Sequence, residues 1–390
     1  MSDLIDIKPK SRNKGFKKEN FQDTSGFNEK NKLILSKIKF LNLNNIENLK
    51  NKNIIKIILN SYEKLKNNIK LEDEDFILTQ HEIGEFNNLK DKDITKYILY
   101  RYKYNKYPIQ KILEDYPPNI NIEITSMCNL RCIMCYQSDK SFSNKSEGYM
   151  GHMNIDIFKK IIDELYQNVE AVTFASRGEP TLHPKIDEML KYCEGKFLGL
   201  KLNTNATLLT EKKIHSLLSS DLQSLVLSID EKDKNNYEKI RVNANFDKIM
   251  KNLESLKKIR EKYYKDSKMR IRISGVKINK NQNIESMNNF YKEFADEIAL
   301  VNYNPWQSAY DNDINEIKNT CSELYRKMFI WWDGKANPCD FDYKSILSKW
   351  NVKDNTIKSI WNSDYYNKLR ELHKLEKRNV IEPCKRCISV

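Results

Sequence analysis

The sequence predicts an α/β fold: a partial (β/α)6 TIM-like barrel with an N-terminal helical extension and a small C-terminal α+β domain. The main observation is that six short apolar runs alternate with amphipathic stretches after Pro117-Pro118. Alternating strand and helix patterns are typical of parallel β-α units. A closed barrel of this kind needs eight units, so six units predict a barrel that stays open along one side.

Each predicted strand is a short apolar run, and each predicted helix repeats apolar residues at a spacing of three to four. The strands are predicted at residues 120–125, 169–175, 198–203, 222–229, 270–278 and 298–303. The helices between them are predicted at about 154–167, 184–193, 210–219, 245–264 and 283–295. In such folds ligands bind at the carboxyl ends of the strands, so the segments that follow the strands are the candidate site.

The composition changes along the chain and predicts four segments. Residues 1–30 are rich in Lys, Asn, Ser and Gly and are expected to form a disordered tail. Residues 31–116 carry apolar residues at helical spacing, for example Ile54, Ile58 and Tyr62, and predict a helical extension. The barrel is expected over 117–303 and the C-terminal domain over 304–390.

Composition also excludes several classes of protein. The sequence has no apolar run long enough for a membrane span and no apolar signal-peptide centre, so we expect a cytoplasmic protein without a membrane partner. The net charge is +13, but acidic residues are interleaved with the lysines. The basic residues do not form the clustered stripe that nucleic-acid binding needs, so we expect no nucleic-acid partner. The eight cysteines of so long a chain predict metal or redox ligands rather than disulfides.

Three of these cysteines, Cys128, Cys132 and Cys135, lie on one loop directly after the first predicted strand. A structural zinc site requires a fourth donor, whereas three thiolates on a 4Fe-4S cluster leave one iron open. At the same rim we expect the segments 176–180, 203–207 and 228–231, which follow the next three strands.

A second set of cysteines lies near the C-terminus: Cys321, Cys339, Cys384 and Cys387. Four thiolates complete either a zinc site or a 4Fe-4S cluster, and their spacing alone leaves both open. Between the first two of them, Asp333-Gly334 predicts a hairpin turn between two strands. The remaining cysteine, Cys193, is expected to be a core residue on a helix.

The first cysteine loop, with the strand before it, resembles the entry segment of radical S-adenosylmethionine (radical SAM) enzymes. The resemblance implies that the three cysteines hold a 4Fe-4S cluster whose open iron binds S-adenosylmethionine. It also implies cleavage of that cofactor to a 5'-deoxyadenosyl radical, which abstracts a substrate hydrogen, and an electron donor such as flavodoxin or ferredoxin.

Two further segments resemble motifs of this family. Ser176-Arg177-Gly178-Glu179-Pro180 resembles the G-E-P element that binds the methionine amino group, and 202–206 resembles the T-N-G element, with Ala206 where glycine is usual. The predicted S-adenosylmethionine contacts are Met134, Gly178, Glu179, Asn203, Asn205, Ser228 and Asp230.

The C-terminal segment resembles the twitch domain, a shortened relative of the SPASM domain. That resemblance implies one auxiliary 4Fe-4S cluster, with zinc as the alternative. Asp340 matches the catalytic aspartate of sulfatase-maturing enzymes and is the candidate base. The further substrate candidates are Arg177, Lys277, Tyr303, Asn304, Trp306 and Gln307.

The twitch spacing also resembles that of aminocyclitol dehydrogenases. We therefore expect an oxidoreductase that oxidises a hydroxyl-bearing small molecule such as a sugar or aminocyclitol, with the auxiliary cluster accepting an electron. The alternative is a maturase that modifies a ribosomally made peptide, although residues 32–113 do not resemble a leader-binding domain. A non-catalytic metal-binding protein is the remote alternative.

Overall fold

The computed structural model describes residues 27–41, 46 and 48–388, which fall into two compact units on either side of Leu113. The predicted tail, residues 1–30, lies outside the described residues except for its last four. Within the described ranges, no helix combines the length and apolar character needed to cross a bilayer.

The first unit is helical. Its α-helices are α1 (Glu29–Lys39), α2 (Leu49–Lys66), α3 (Gln80–Phe86) and α4 (Ile94–Gln110). Ile54, Ile58 and Tyr62 lie on one face of α2 and are at most 4% exposed, as the helical spacing predicts. A partly buried ion pair between Glu85 and Arg101 joins α3 to α4.

The second unit contains one mixed sheet flanked by helices. Its strands are β1 (Asn119–Ile122), β2 (Ala171–Phe174), β3 (Gly199–Thr204), β4 (Ser224–Ser228), β5 (Arg270–Lys277), β6 (Glu297–Asn302), β7 (Lys327–Ile330), β8 (Lys335–Asn337) and β9 (Trp350–Asn351). Its α-helices are α5 (Lys140–Ser143), α6 (Ile155–Leu165), α7 (Ile186–Tyr192), α8 (Glu211–Ser219), α9 (Lys234–Ile240), α10 (Phe246–Tyr263), α11 (Ile284–Tyr291), α12 (Glu323–Arg326), α13 (Ile357–Trp361) and α14 (Asp364–Lys374).

Strands β1 to β6 are parallel neighbours in chain order, and this confirms the predicted partial barrel. The sheet order is β6-β5-β4-β3-β2-β1-β7-β8-β9. Leu200, Leu202, Leu225 and Leu227 are fully buried on β3 and β4, because helices cover the outer face of the sheet.

The C-terminal hairpin continues the barrel sheet, which the sequence analysis did not predict. β7 pairs with β1 in parallel, and β8 returns antiparallel to β7 after Asp333-Gly334. Gly334 has φ +87°, the left-handed conformation that this turn requires. In an open barrel β1 has a free edge, and β7 satisfies its backbone hydrogen bonds there.

The structure also contains a helix that was not predicted, α9. Only Tyr237 and Ile240 are buried on this seven-residue helix, so its apolar pattern is too short to be recognised in the sequence. The helix matters because the residue that follows it, Arg241, is buried next to the first cysteine loop.

A buried ion pair joins the barrel to the C-terminal domain. The Arg177 guanidinium donates to both carboxylate oxygens of Glu123, at 2.5 and 2.6 Å, and each residue is at most 3% exposed. Arg177 also donates to the Tyr343 carbonyl at 2.7 Å and lies 4.1 Å from the centroid of the Trp331 ring. Burial raises the pKa of Glu123, whereas the Arg177 charge favours the ionised form.

Arg177→Met is expected to lower the free energy of unfolding by about 3–5 kcal/mol, because it leaves the Glu123 carboxylate buried without its counter-charge. The double variant Glu123→Met/Arg177→Met should lose less, since no unpaired charge remains. Urea denaturation measures both values.

The matched control is Lys159→Ala, which removes an ion pair with Glu188 that is 36% and 46% exposed. That variant should lose no more than about 1 kcal/mol. A similar small loss in Arg177→Met would show that the buried pair does not stabilise the fold.

Candidate functional site

The first cysteine loop leaves the carboxyl end of β1 and lies at the rim of the barrel. Cys132 is 8% exposed, and Cys128 and Cys135 are partly buried. The Leu130 amide donates to Cys128 Sγ at 3.4 Å, and the Gln137 amide donates to Cys135 Sγ at 3.5 Å. These N–H groups point at the sulfur atoms, an arrangement that favours thiolate ligands.

Burial raises the pKa of all three thiols, that of Cys128 to about 12. The charge of Cys132 raises the pKa of Cys128 and Cys135 further, whereas Arg241 lowers that of Cys132. Three thiolates at this position therefore require a cation among them. Among the described residues, no three His, Cys, Asp or Glu side chains converge on the position of one metal ion. The ligands of a cubic cluster bind different iron atoms and need not converge in this way.

Glu179 lies at the same rim after β2, 2% exposed and held by four hydrogen bonds. Its Oε1 accepts from Thr181 N, Thr181 Oγ1 and Thr204 Oγ1 at 3.1, 2.5 and 2.6 Å, and its Oε2 accepts from Asn205 N at 2.6 Å. Burial raises the pKa of Glu179, whereas these donors oppose the shift, and the carboxylate charge acts on Cys128. The carboxylate is thus fixed in orientation beside the cysteine loop.

Gly178 lets the Glu179 loop approach the cysteine loop closely. A Cβ at this position would lie 2.1 Å from the Thr125 carbonyl oxygen and 2.8 Å from that of Met127. The Glu179 amide donates to the Met127 carbonyl at 2.8 Å, and Gln137 donates to the Ser126 carbonyl at 2.8 Å and to the Arg177 carbonyl. No side chain fits between the two loops at Gly178.

The segment after β3 is tied to the cysteine loop by side chains. Asn205 Nδ2 donates to Asn129 Oδ1 at 3.1 Å, and Asn129 Nδ2 donates to Thr207 Oγ1 at 2.9 Å. Ala206 has φ +60°, a left-handed conformation that glycine adopts without strain. This explains why glycine is usual at that position of the motif.

The residues predicted to contact the cofactor differ in how many of their hydrogen bonds are already made within the protein. Asn203 Oδ1 is buried and has no hydrogen-bond partner in the described part of the chain, so it can accept from a ligand. Ser228 is half-buried at the end of β4, and Met134 packs in an apolar cluster with Cys132. Asp230 is fully buried, and its carboxylate accepts from Val276 N and pairs with Arg241.

The donor set therefore fits a 4Fe-4S cluster with a cofactor at its open position. Three thiols share one loop, N–H groups face two of the sulfur atoms, and a fixed carboxylate and an orphaned amide oxygen lie on the neighbouring strand ends.

The second set of cysteines lies in the C-terminal domain. Cys321, Cys339 and Cys384 are partly buried and Cys387 is buried. Burial raises the pKa of Cys321, Cys339 and Cys384, that of Cys321 to about 11, and the charges of neighbouring cysteines raise it further. Each thiol thus lies within electrostatic range of at least one other.

Arg378 organises the end of this domain. It is 1% exposed and donates to the carbonyls of Cys384 and Cys387 at 3.2 and 2.8 Å. Its charge also lowers the pKa of Cys321, against the effect of burial.

The predicted helix from Ser363 is present as α14, and the Ser363 side chain caps it.

The two cysteine sets contact one shared apolar cluster. This bridging cluster consists of Tyr136, Phe142, Ala309, Phe341, Tyr343 and Cys387, and both Cys135 and Cys339 pack against it. Tyr136 stacks on Tyr343 with ring centroids 5.2 Å apart. The bridging cluster therefore lies next to both candidate cluster sites.

The segment after β6 lies beside both cysteine sets. Tyr303 packs against the apolar cluster that contains Cys132, whereas Trp306 packs on the bridging cluster. The Gln307 amide donates to the Tyr303 hydroxyl, and Gln307 Oε1 is buried without a partner in the described ranges. Asn304 lies between these residues, and Lys277 is half-buried at the carboxyl end of β5.

The structure bears on one predicted substrate residue, Arg177, and on the candidate base, Asp340. Arg177 is committed to Glu123, so we do not retain it as a substrate contact. Asp340 is half-buried, and its charge adds to the effect of burial that raises the pKa of Tyr136. It therefore lies within electrostatic range of the first cysteine loop.

Sequence reasoning missed the buried Asp342. Its carboxylate accepts from the Tyr310 hydroxyl at 2.8 Å and from the amides of Ile346 and Leu347, and burial raises its pKa to about 6.

Three further residues near the first cysteine loop were given no role from the sequence: Arg241, Asn129 and Gln137. Arg241 follows a helix that has no clear pattern, and nothing in the motifs marks the other two. His183 is buried and bonds the Met153 carbonyl, a structural role.

Comparison with protein families identifies both halves of the site. Residues 122–273 match the radical SAM superfamily, and residues 321–388 match SPASM, an iron-sulfur cluster-binding domain. A tungsten-containing aldehyde ferredoxin oxidoreductase cofactor-modifying protein of Pyrococcus furiosus is 35% identical over 111 residues, 28% of this chain and 30% of that protein.

The mycofactocin maturase MftC of Mycobacterium tuberculosis is 28% identical over 155 residues, 38% of each chain. The matches thus span well under half of these curated relatives. Among solved structures, Streptococcus suis SuiB bound to precursor peptide SuiA aligns with a TM-score of 0.53 and 18% identity, covering 79% of this chain and 77% of that one. This likeness shows the shared fold.

Gly178→Ala is expected to reduce iron incorporation by the first cysteine set, because the new Cβ would push the Glu179 loop away from Thr125 and Met127. Iron and sulfide analysis after anaerobic reconstitution measures the loss. Gly195→Ala is the control: Gly195 has φ +70° and open space around it, so it should cost about 1–2 kcal/mol of stability. Equal iron content in the two variants would contradict the role of Gly178.

Proposed function

Because the chain belongs to the radical SAM superfamily and carries a C-terminal SPASM-type iron-sulfur domain, we propose that it is an oxidoreductase that removes two electrons from a hydroxyl-bearing substrate. When bound, S-adenosylmethionine and its 4Fe-4S cluster supply the one-electron chemistry that removes a hydrogen atom from a substrate carbon. The protein's part is to bind, orient and exclude water.

In this proposal Cys128, Cys132 and Cys135 hold the first cluster. Glu179 accepts hydrogen bonds from the methionine ammonium, and its four internal donors keep the carboxylate in place for that contact. Asn203 Oδ1 accepts from a cofactor hydroxyl, which would satisfy its unmet hydrogen bond.

The observation that carries the two-electron proposal is the bridging cluster, because both cysteine sets pack against it. Cys321, Cys339, Cys384 and Cys387 would hold an auxiliary cluster with four thiolates and no open iron, so its role would be to accept an electron. Asp340 follows one of these ligands and is the candidate base for the hydroxyl proton.

The substrate is proposed to be a small molecule such as a sugar or aminocyclitol. Its hydroxyl groups would meet three polar side chains. Tyr303 packs against the apolar cluster that contains Cys132, Gln307 donates to the Tyr303 hydroxyl, and Asp340 follows Cys339 in the sequence. A peptide substrate is the second candidate, and it is supported by the names of the relatives, one of which is a maturase.

Cys132→Ala should abolish the release of 5'-deoxyadenosine, because the first cluster loses a ligand. Cys193→Ala is the matched control, since Cys193 is a buried core thiol beyond the C-terminus of α7, and it should retain release. Chromatography of the quenched reaction measures the product. Undiminished release in Cys132→Ala would overturn the proposed function.

Cys339→Ala should separate cleavage of S-adenosylmethionine from oxidation of the substrate. We expect it to retain release of 5'-deoxyadenosine but to lose the product oxidised by two electrons, as measured by mass spectrometry with candidate sugars, aminocyclitols and peptides. The parent protein should contain about eight iron atoms, four for each cubic cluster. About four iron atoms with bound zinc would contradict the auxiliary assignment.

A further inference from the structure

Arg241 is a buried cation beside the first cysteine loop that has no role in the proposed reaction. It is 6% exposed, and its Nη1 lies 3.9 Å from Cys132 Sγ, within reach of an N–H···S hydrogen bond. Removing a guanidinium from water is costly, so its position requires a compensating partner.

That partner is Asp230. Arg241 Nε lies 2.6 Å from Asp230 Oδ2, and the Asp230 side chain is fully buried. The other carboxylate oxygen accepts from Val276 N at 2.7 Å, which fixes the carboxylate at the end of β5. The Arg241 guanidinium thus contacts the Cys132 sulfur and the Asp230 carboxylate inside the protein.

Backbone hydrogen bonds hold Arg241 beside the cysteine loop. The amides of Arg131 and Ile133, on the cysteine loop, donate to the carbonyls of Val242 and Ile240 at 2.9 and 3.0 Å. The two segments therefore pair on both sides of Arg241. These hydrogen bonds fix the backbone of Arg241 next to the loop that carries the ligands.

We propose that Asp230 and Arg241 act as positioning residues that set the reduction potential of the cluster held by Cys128, Cys132 and Cys135. Reduction adds one electron, and hence one negative charge, to a buried group without making or breaking a bond. Arg241 stabilises the reduced form and raises the potential, and Asp230 partly cancels that effect. The inference rests on the cluster ligands of the proposed function but not on its substrate.

The two charges give the proposal a test with opposite signs. Arg241→Gln removes the cation and should make the midpoint potential of the first cluster more negative. Asp230→Asn removes the anion and should make it more positive. Arg241→Lys keeps the charge but not the planar guanidinium, so its shift should be smaller than that of Arg241→Gln.

The measurement is an anaerobic redox titration of the reconstituted full chain followed by electron paramagnetic resonance. The first cluster is identified as the signal that changes when S-adenosylmethionine is added. The auxiliary cluster is the internal control, and its potential should stay unchanged. Arg131→Gln is the matched variant: Arg131 is on the same loop, but its guanidinium donates to the carbonyls of Cys128 and Leu130, not to a sulfur.

Opposite shifts in the Arg241→Gln and Asp230→Asn proteins, with a smaller shift in Arg131→Gln than in Arg241→Gln, would support the proposal. Shifts of the same sign, or none, would overturn it. If Arg241→Gln fails to bind iron, Arg241→Lys and Asp230→Asn still test the signs, and loss of the cluster from all three variants would assign a purely structural role. Failure of the parent protein to assemble the first cluster would instead reject the proposed function.

Discussion

The buried pair of Glu123 and Arg177 is the interaction on which the rest of this structure depends. Glu123 extends the line of β1, and Arg177 belongs to the loop after β2 that also carries Gly178 and Glu179. Through the Tyr343 carbonyl and the Trp331 ring, the same guanidinium reaches the C-terminal domain. One salt bridge therefore fixes three parts of the site relative to one another.

A second buried pair, Asp230 and Arg241, lies on the other side of the cysteine loop. Neither pair is expected to be a large source of net stability, because desolvation offsets much of the attraction between buried charges. Their contribution is to hold the cysteine loop and its neighbours in position. A loop that must present three sulfur atoms to one cluster is held by backbone hydrogen bonds to the loop after β2 and to the segment after α9.

Much of this arrangement could be predicted from the sequence, because it depends on local pattern. Alternating apolar runs predicted β1 to β6, the spacing of Cys128, Cys132 and Cys135 predicted a ligand loop, and Asp333-Gly334 predicted the hairpin. The pairing of β7 with β1 could not be predicted, because no local residue pattern specifies a partner two hundred positions away. The contact of Arg177 could not be predicted for the same reason, since its partner Glu123 lies 54 positions away in the sequence.

Pairing of the first barrel strand with both β2 and β7 has a consequence for the synthesis of the chain. β1 emerges from the ribosome early, whereas β7 begins only at Lys327. Until then one edge of β1 lacks its partner, and an unpaired strand edge is a template for aggregation. Protection of this edge therefore depends on β7 and is complete only after that strand has been synthesised.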